Sequence, residues 1–311
     1  MSLSFGLQLP IQSQSSIYVR PWERDAGPDE LRSVAAAADA AGFDYVAVCD
    51  HVAIPSAQAD SMSTGWYDTV ATLGFLAAAT ERVRLLSHIY VPIYRHPLQV
   101  AKSFATLDHL AKGRVVMGVG AGHVEGEFEA LGVDFGRRGK LLDESIDAIR
   151  AAFDDEFASH EGDEWSFDGL GQRPRPAQEH LPIWVAGSSK PAMRRAALRG
   201  DGWLPQRTTL PELPAAYDFI RSERDAAGRD GPFTFGSLCG DLYVGDADWA
   251  VPEHTFAAPA EKLGRFLAKF AAAGADQVQV RFPSRSVDEL VDQIGRFGAE
   301  VGPMLAALED D

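Results

Sequence analysis

A (β/α)8 TIM barrel is the fold this sequence predicts, and three observations predict it. Short runs rich in Val, Ile and Leu alternate with helical patterns almost from end to end. Most of these runs are continuously apolar, as parallel strands buried on both faces are. The alternation reaches eight strands and eight helices, enough for a parallel sheet to close on itself, whereas an open doubly wound sheet usually has fewer units. A length of 311 residues suits such a barrel as a single domain spanning residues 1–311.

The predicted strands are SFGLQLP (4–10), DYVAVCD (44–50), VRLLSHIYV (83–91), RVVMGVGAG (114–122), PIWVAG (182–187), GWLP (202–205), TFGSLCGDLYV (234–244) and QVQVRF (277–282). The first helix opens at Pro28-Asp29-Glu30 and closes at Gly42, with Leu31, Val34, Ala38 and Ala41 on one stripe. The second runs from Tyr67 to Thr80, and the third from His96-Pro97 to Lys112, stopping at Gly113. Others are predicted at 139–153, 190–200, 211–228, 259–273 and 286–307. Two insertion loops break the rhythm, residues 123–138 after strand four and residues 154–181 before strand five. Loops this long inside a compact domain tend to be lids or binding loops.

Composition excludes several function classes. With 46% hydrophobic and 24% charged residues the chain reads as an ordinary soluble protein. The 45 acidic against 29 basic residues, net −16, argue against nucleic acid or an anionic membrane as partner. An anionic ligand stays admissible where local dipoles or a few cations override that field. No apolar run approaches the roughly 18 residues of a membrane helix, and the first residues do not read as a signal peptide. Cys49 and Cys239 are too few for a disulfide framework, and Cys49 lies in an apolar run as a buried residue would. A cytoplasmic location is expected. No metal is expected, because His51, His88, His96, His109 and His123 are scattered and no HExxH occurs. No GxSxG elbow is present either.

Active sites of such barrels lie at the carboxyl ends of the strands. Asp50-His51 sits there after strand two, where a histidine can move a proton near neutral pH and a neighbouring carboxylate can set its charge. The glycines at 118, 120 and 122 either let backbone approach a flat ligand or simply let strand four turn. GVGAGH is not a dinucleotide fingerprint, since its sixth position is His123. Ser188 and Ser189 precede a helical pattern, and serve either as an N-cap or as one side of a phosphate site.

In this order the motifs AAGFDYVAVCDH (40–51), AAATERVRLL (77–86), VPIYRHPLQVAKSFATLDHLAKGRVVMGVGAG (91–122), EFEALGVDFGRRGKLLDE (127–144), LPIWVAGSSKPAMRRAALRGDGWLP (181–205) and AAGADQVQVRF (272–282) resemble the luciferase-like monooxygenase superfamily. Within it they resemble the branch that uses the deazaflavin coenzyme F420. The resemblance implies a cofactor ring across the barrel mouth, with Asp50-His51 beside it. It implies a non-proline cis peptide near His88-Ile89-Tyr90 backing the ring, and cofactor contacts from His88, Ile89, Ala121, Gly122, Ala186, Gly187 and Ser188. The implied reaction is hydride transfer between C5 of the deazaflavin and a small organic substrate, with His51 stabilising charge or handling a proton. An FMN-dependent monooxygenase is the alternative, and a non-catalytic flavin-binding barrel a second. Relatives that oxidise a sugar phosphate have an acid after the GxG turn and a tryptophan shortly after the DH pair. Here those positions match His123 and Pro55, which points away from that substrate and makes His123 a candidate proton donor or substrate contact. Dimers occur among the relatives, so a homodimer is expected by analogy.

Overall fold

The computed structural model describes residues 3–16 and 18–309. Eight parallel strands close into a barrel: β1 (Ser4–Gln8), β2 (Tyr45–Val48), β3 (Arg84–Ser87), β4 (Val115–Val119), then β7 (Ile183–Ala186), β8 (Gly202–Leu204), β9 (Thr234–Val244) and β11 (Gln277–Arg281). Between β4 and β7 lies an antiparallel hairpin, β5 (Phe157–Glu161) and β6 (Ser166–Gly171). The short β10 (Phe256–Ala258) extends the sheet along β9, and the pairing of β8 with β9 closes the circle.

The outer layer comprises α1 (Pro28–Ala40), the single turn α2 (Ala59–Met62), α3 (Thr69–Ala77), α4 (Pro97–Leu110), α5 (Glu125–Leu131), α6 (Arg138–Asp154), α7 (Lys190–Arg199), α8 (Leu213–Ala226), α9 (Ala260–Ala272), α10 (Val287–Arg296) and α11 (Gly302–Ala306). Their starts carry the expected caps. Asp68 accepts from Ala71 N at 2.8 Å ahead of α3, and Ser286 from Glu289 N at 3.2 Å ahead of α10. None among the described residues is long and apolar enough to cross a membrane.

The predicted 286–307 helix is divided. A π turn at Phe297–Val301 separates α10 from α11, and Pro303, with no N–H to give, begins the new helix rather than continuing the old one. The two insertions differ more from expectation. Residues 123–138 are largely helical, through α5 and a 3-10 turn at Phe135–Arg137. Residues 154–181 form no cover over the mouth. Their hairpin lies along α6, where the Glu144 carboxylate accepts from Glu164 N at 2.8 Å and Trp165 N at 2.7 Å. The segment returns to the barrel through Asp108, buried at the end of α4, which accepts from Ala177 N at 2.8 Å and Gln178 N at 3.1 Å.

Two cores result from the period of two along each strand. Odd-numbered residues of β1 and even-numbered ones of β2, such as Phe5, Leu7, Val46 and Val48, face the helices. There Phe5, Phe43, Phe282 and Phe297 stack edge to face, with centroids 4.8 to 6.4 Å apart. The other faces fill the barrel with Tyr45, Ala47, Leu86, Val116, Trp184, Ala186 and Leu204. Tyr45 and Trp184 meet at 5.9 Å and take most of the lower interior. Their bulk requires glycine on neighbouring strands. A Cβ on Gly6 would lie 2.1 Å from the Tyr45 ring, and one on Gly202 2.6 Å from Trp184.

Gly6→Ala is therefore expected to destabilise the fold by about 1–3 kcal/mol through overpacking. The urea midpoint measures it, and an unchanged midpoint would show that the Tyr45 ring can move aside.

Candidate active site

Above Tyr45 and Trp184 the inward-facing positions turn polar, and the barrel opens into a cavity of about 930 Å³ at the carboxyl ends of the strands. That size is in the range of small-molecule and cofactor sites. The lining takes residues from nearly every strand end, including Gln8, Asp50, His51, His88, Ile89, Ala121, Gly122, His123, Ala186, Gly187, Gln279 and Arg281, and none from residues 154–181.

His51 lies in the loop after β2. Its Nδ1 is 3.0 Å from Oε2 of Glu127, whose side chain is fully buried. Glu127 rides on α5 and also accepts from Val52 N, from Ala53 N at 3.1 Å and from the Tyr94 hydroxyl at 3.1 Å. Burial pushes its carboxyl upward, but the His51 and backbone donors outweigh that and hold it below the usual glutamate value. Such a carboxylate draws the ring proton to Nδ1 and leaves Nε2 as the remaining polar atom of a cavity-lining ring. Trp66 packs edge-on against His51 at 4.4 Å, and His123 at 5.6 Å. Burial lowers the His123 pKa, and the His51 and Arg207 charges lower it further against the pull of Glu127.

The carboxylate expected to govern His51, its neighbour Asp50, is engaged elsewhere. Asp50 is held by Arg95 through both oxygens, at 3.0 and 3.1 Å, and accepts from Val91 N at 2.9 Å. Its work is to tie the end of β2 to the turn after β3. Between them lies the His88–Ile89 peptide, which is cis. Ile89 projects over β4, where a Cβ on Gly120 would stand 2.1 Å from its Cδ1.

His88 sits in a chain of amides. Its Nδ1 donates to Gln279 Oε1 at 2.8 Å, and its Nε2 accepts from Gln206 Nε2 at 3.1 Å. Gln279 in turn donates to Gln8 Oε1 at 3.3 Å. Burial lowers the His88 pKa to about 4, with the Gln279 acceptor opposing and the Arg281 charge adding to the fall. Neutral imidazole is the form this floor is built for.

On the far wall Gly122 and Gly187 have φ of 74° and 119°, left-handed values that favour glycine. Ser189 lines the cavity and caps α7, accepting from Ala192 N at 3.3 Å. Ser188 is turned away: its hydroxyl meets the Gln206 backbone and, at 2.6 Å, the Thr208 hydroxyl. Phosphate-binding capacity at this end therefore belongs to the α7 N-terminus, with Arg138 and Arg195 beside it. Arg195 is bound to Asp143 at 2.6 Å. Sequence reasoning passed over Glu127, Trp66, Gln206, Arg207 and three strand residues, Gln8, Gln279 and Arg281. The last three carried a signal, since polar residues at every second position of an otherwise apolar strand point inward.

The luciferase-like monooxygenase model matches residues 3–287. The chain belongs to that family. It is 30% identical over 277 residues to an uncharacterised protein of Mycobacterium tuberculosis, covering 85% of this chain and 91% of that one. An F420-dependent glucose-6-phosphate dehydrogenase of Nakamurella multipartita is 33% identical over 195 residues, 61% of this chain and 55% of that one. Among solved structures, the coenzyme F420-dependent tetrahydromethanopterin reductase of Methanopyrus kandleri superposes with a TM-score of 0.76 at 18% identity. It covers 98% of this chain and 100% of that one, and shows the shared barrel. Members of this luciferase-like family are oxidoreductases and monooxygenases.

Two predictions test the site's frame. Arg95→Met leaves the Asp50 carboxylate buried without its cation and is expected to cost roughly 3–5 kcal/mol, read from the denaturant midpoint at neutral pH. For His88 the sign follows from a lowered folded pKa. Its contribution to stability is complete above 6.5 and is lost as pH falls toward about 4. The urea midpoint should drop between about pH 7 and pH 5, and drop less in His88→Gln; equal declines would remove His88 as the cause.

Proposed function

We propose that the protein is an F420-dependent oxidoreductase that transfers a hydride between C5 of the deazaflavin and a small organic substrate. The observation that carries this reading is His51, fixed by buried Glu127 at the wall of a cofactor-sized cavity. The similarity to an F420-dependent dehydrogenase supports the deazaflavin rather than FMN.

The residues present fit such a cofactor. Small side chains and glycines at Ala121-Gly122 and Ala186-Gly187 form one wall, which suits a flat ring, and the α7 N-terminus with Arg138 suits a phosphate. His88-Ile89 would back the ring. When bound, the deazaflavin supplies or accepts the hydride. The protein's part is positioning and proton management. Glu127 sets the orientation and tautomer of His51. His51 Nε2 holds or takes up a proton at the reacting face, Trp66 shields that ring from water, and His123 contacts the substrate or donates a proton.

Titration with F420 and with FMN, followed through the intrinsic fluorescence of the protein's tryptophans, tests the cofactor. Saturable quenching by F420 is expected, and tight FMN binding without any F420 response would sink the assignment. His51→Ala should then lower turnover by roughly 10²–10⁴-fold with cofactor affinity retained. An unchanged rate would leave a binding barrel without this chemistry.

A further inference from the structure

We propose that the cavity has a second anion site, formed by Arg281 and Arg207, that grips the carboxylate or phosphate of an acidic organic substrate. That this anion is the substrate rests on the redox reading above; that an anion binds there does not.

Beside the main cavity lies a recess of about 580 Å³ that shares His51, Trp66, His123, Arg207 and Arg281 with it. Its lining carries three arginines, Arg20, Arg207 and Arg281, against two carboxylates, Glu23 and Asp241. Asp241 is paired with Arg20, and Glu23 accepts from Ile11 N and Arg20 N, each at 3.1 Å. Asp50 belongs to Arg95. Arg281, pointing inward from the end of β11, has its guanidinium over the Tyr18 ring at 3.8 Å. Neither it nor Arg207 makes an ion pair or side-chain hydrogen bond among the described residues. Arginines elsewhere in the chain find acids readily, as Arg84 does with Asp44 and Arg150 with Asp201. Arg281, half-buried, and Arg207, exposed at the rim, line one recess without a hydrogen-bonded acid, and a carboxylate or phosphate there would supply the acceptors both guanidinium groups lack.

The placement of Arg207 is built. Its φ is 61°, left-handed for a non-glycine residue. Flanking contacts hold it so: Ser188 Oγ accepts from Gln206 N at 2.8 Å, Ser188 and Thr208 hydroxyls meet at 2.6 Å, and the Gln206 amide reaches His88. The Arg281 charge is felt by the Glu23 carboxylate in the recess wall and by His88 and Cys49 at the cavity floor. This site is distinct from the one at the α7 N-terminus, because Arg138 and Arg195 line the main cavity and not the recess. A guanidinium fork matches carboxylate and phosphate oxygens alike.

The test uses inorganic phosphate and succinate as probes at constant ionic strength, with tryptophan fluorescence and thermal midpoint as readouts, before and after F420 is bound. Saturable binding of at least one probe is expected, and the stronger one tells phosphate monoester from carboxylate. Arg281→Met and Arg207→Gln should each weaken it by at least about tenfold while leaving cofactor affinity unchanged. Arg207 is exposed, so its variant keeps the test valid should Arg281→Met fail to fold. No saturable binding by either probe, equal binding by both variants, or displacement of the probe by F420 would each overturn the site. Failure of F420 to bind while a probe still binds through the arginines overturns the redox reading and leaves the anion site standing.

Discussion

The mouth of this barrel depends on one buried carboxylate. Glu127 collects the His51 imidazole, the Val52 and Ala53 amides and the Tyr94 hydroxyl, and so joins the loop after β2, the turn after β3 and the helix after β4. A buried charge without such partners would cost several kcal/mol; fully satisfied, it holds three successive loops to one geometry. Asp50 does similar work one residue earlier, facing Val91 and Arg95 instead. The adjacent acid and base therefore serve different ends. The aspartate fixes backbone, and the histidine is left to face the cavity with a carboxylate that is not its neighbour.

The interior is divided by height. Low in the barrel, Tyr45 and Trp184 exclude water and demand glycine opposite them. Higher up, Gln8, Gln279 and His88 form a hydrogen-bonded floor in which each donor has an acceptor. Because a primary amide can do both, this floor satisfies a neutral imidazole without introducing charge beneath the cavity. Net charge at the mouth is then set by the residues above the floor.

The barrel was legible in the sequence because its strands are continuous apolar runs and their number sufficed for closure. What was not legible lacked that signature. The hairpin strands Phe157–Glu161 and Ser166–Gly171 are polar and mostly exposed, and α5 has seven residues, about two turns, too few for a helical period to declare itself. The site divides the same way. Asp50-His51, Gly122 and Gly187 are found by being at strand ends. Glu127 is 76 residues from His51 and nothing local separates it from Glu125 or Glu129. Gln277-Val278-Gln279-Val280-Arg281, by contrast, spells its alternation out, and reading it as an inward polar face would have reached both the floor and the recess.

The overall charge of −16 says little about the field a ligand meets. What counts is which carboxylates are already committed. Around this cavity Asp50, Glu127, Glu23 and Asp241 are each taken up by arginine, histidine or backbone N–H groups. Those carboxylates are held within a few ångströms by their partners, whereas Arg138, Arg207 and Arg281 make no ion pair among the described residues, Arg281 acting on Glu23 only at longer range. In a concave, partly desolvated site the nearby uncompensated charges dominate over distant ones screened by solvent. An acidic chain can thus present a cationic interior, and the commitment of its acids to positioning loops is what makes it so.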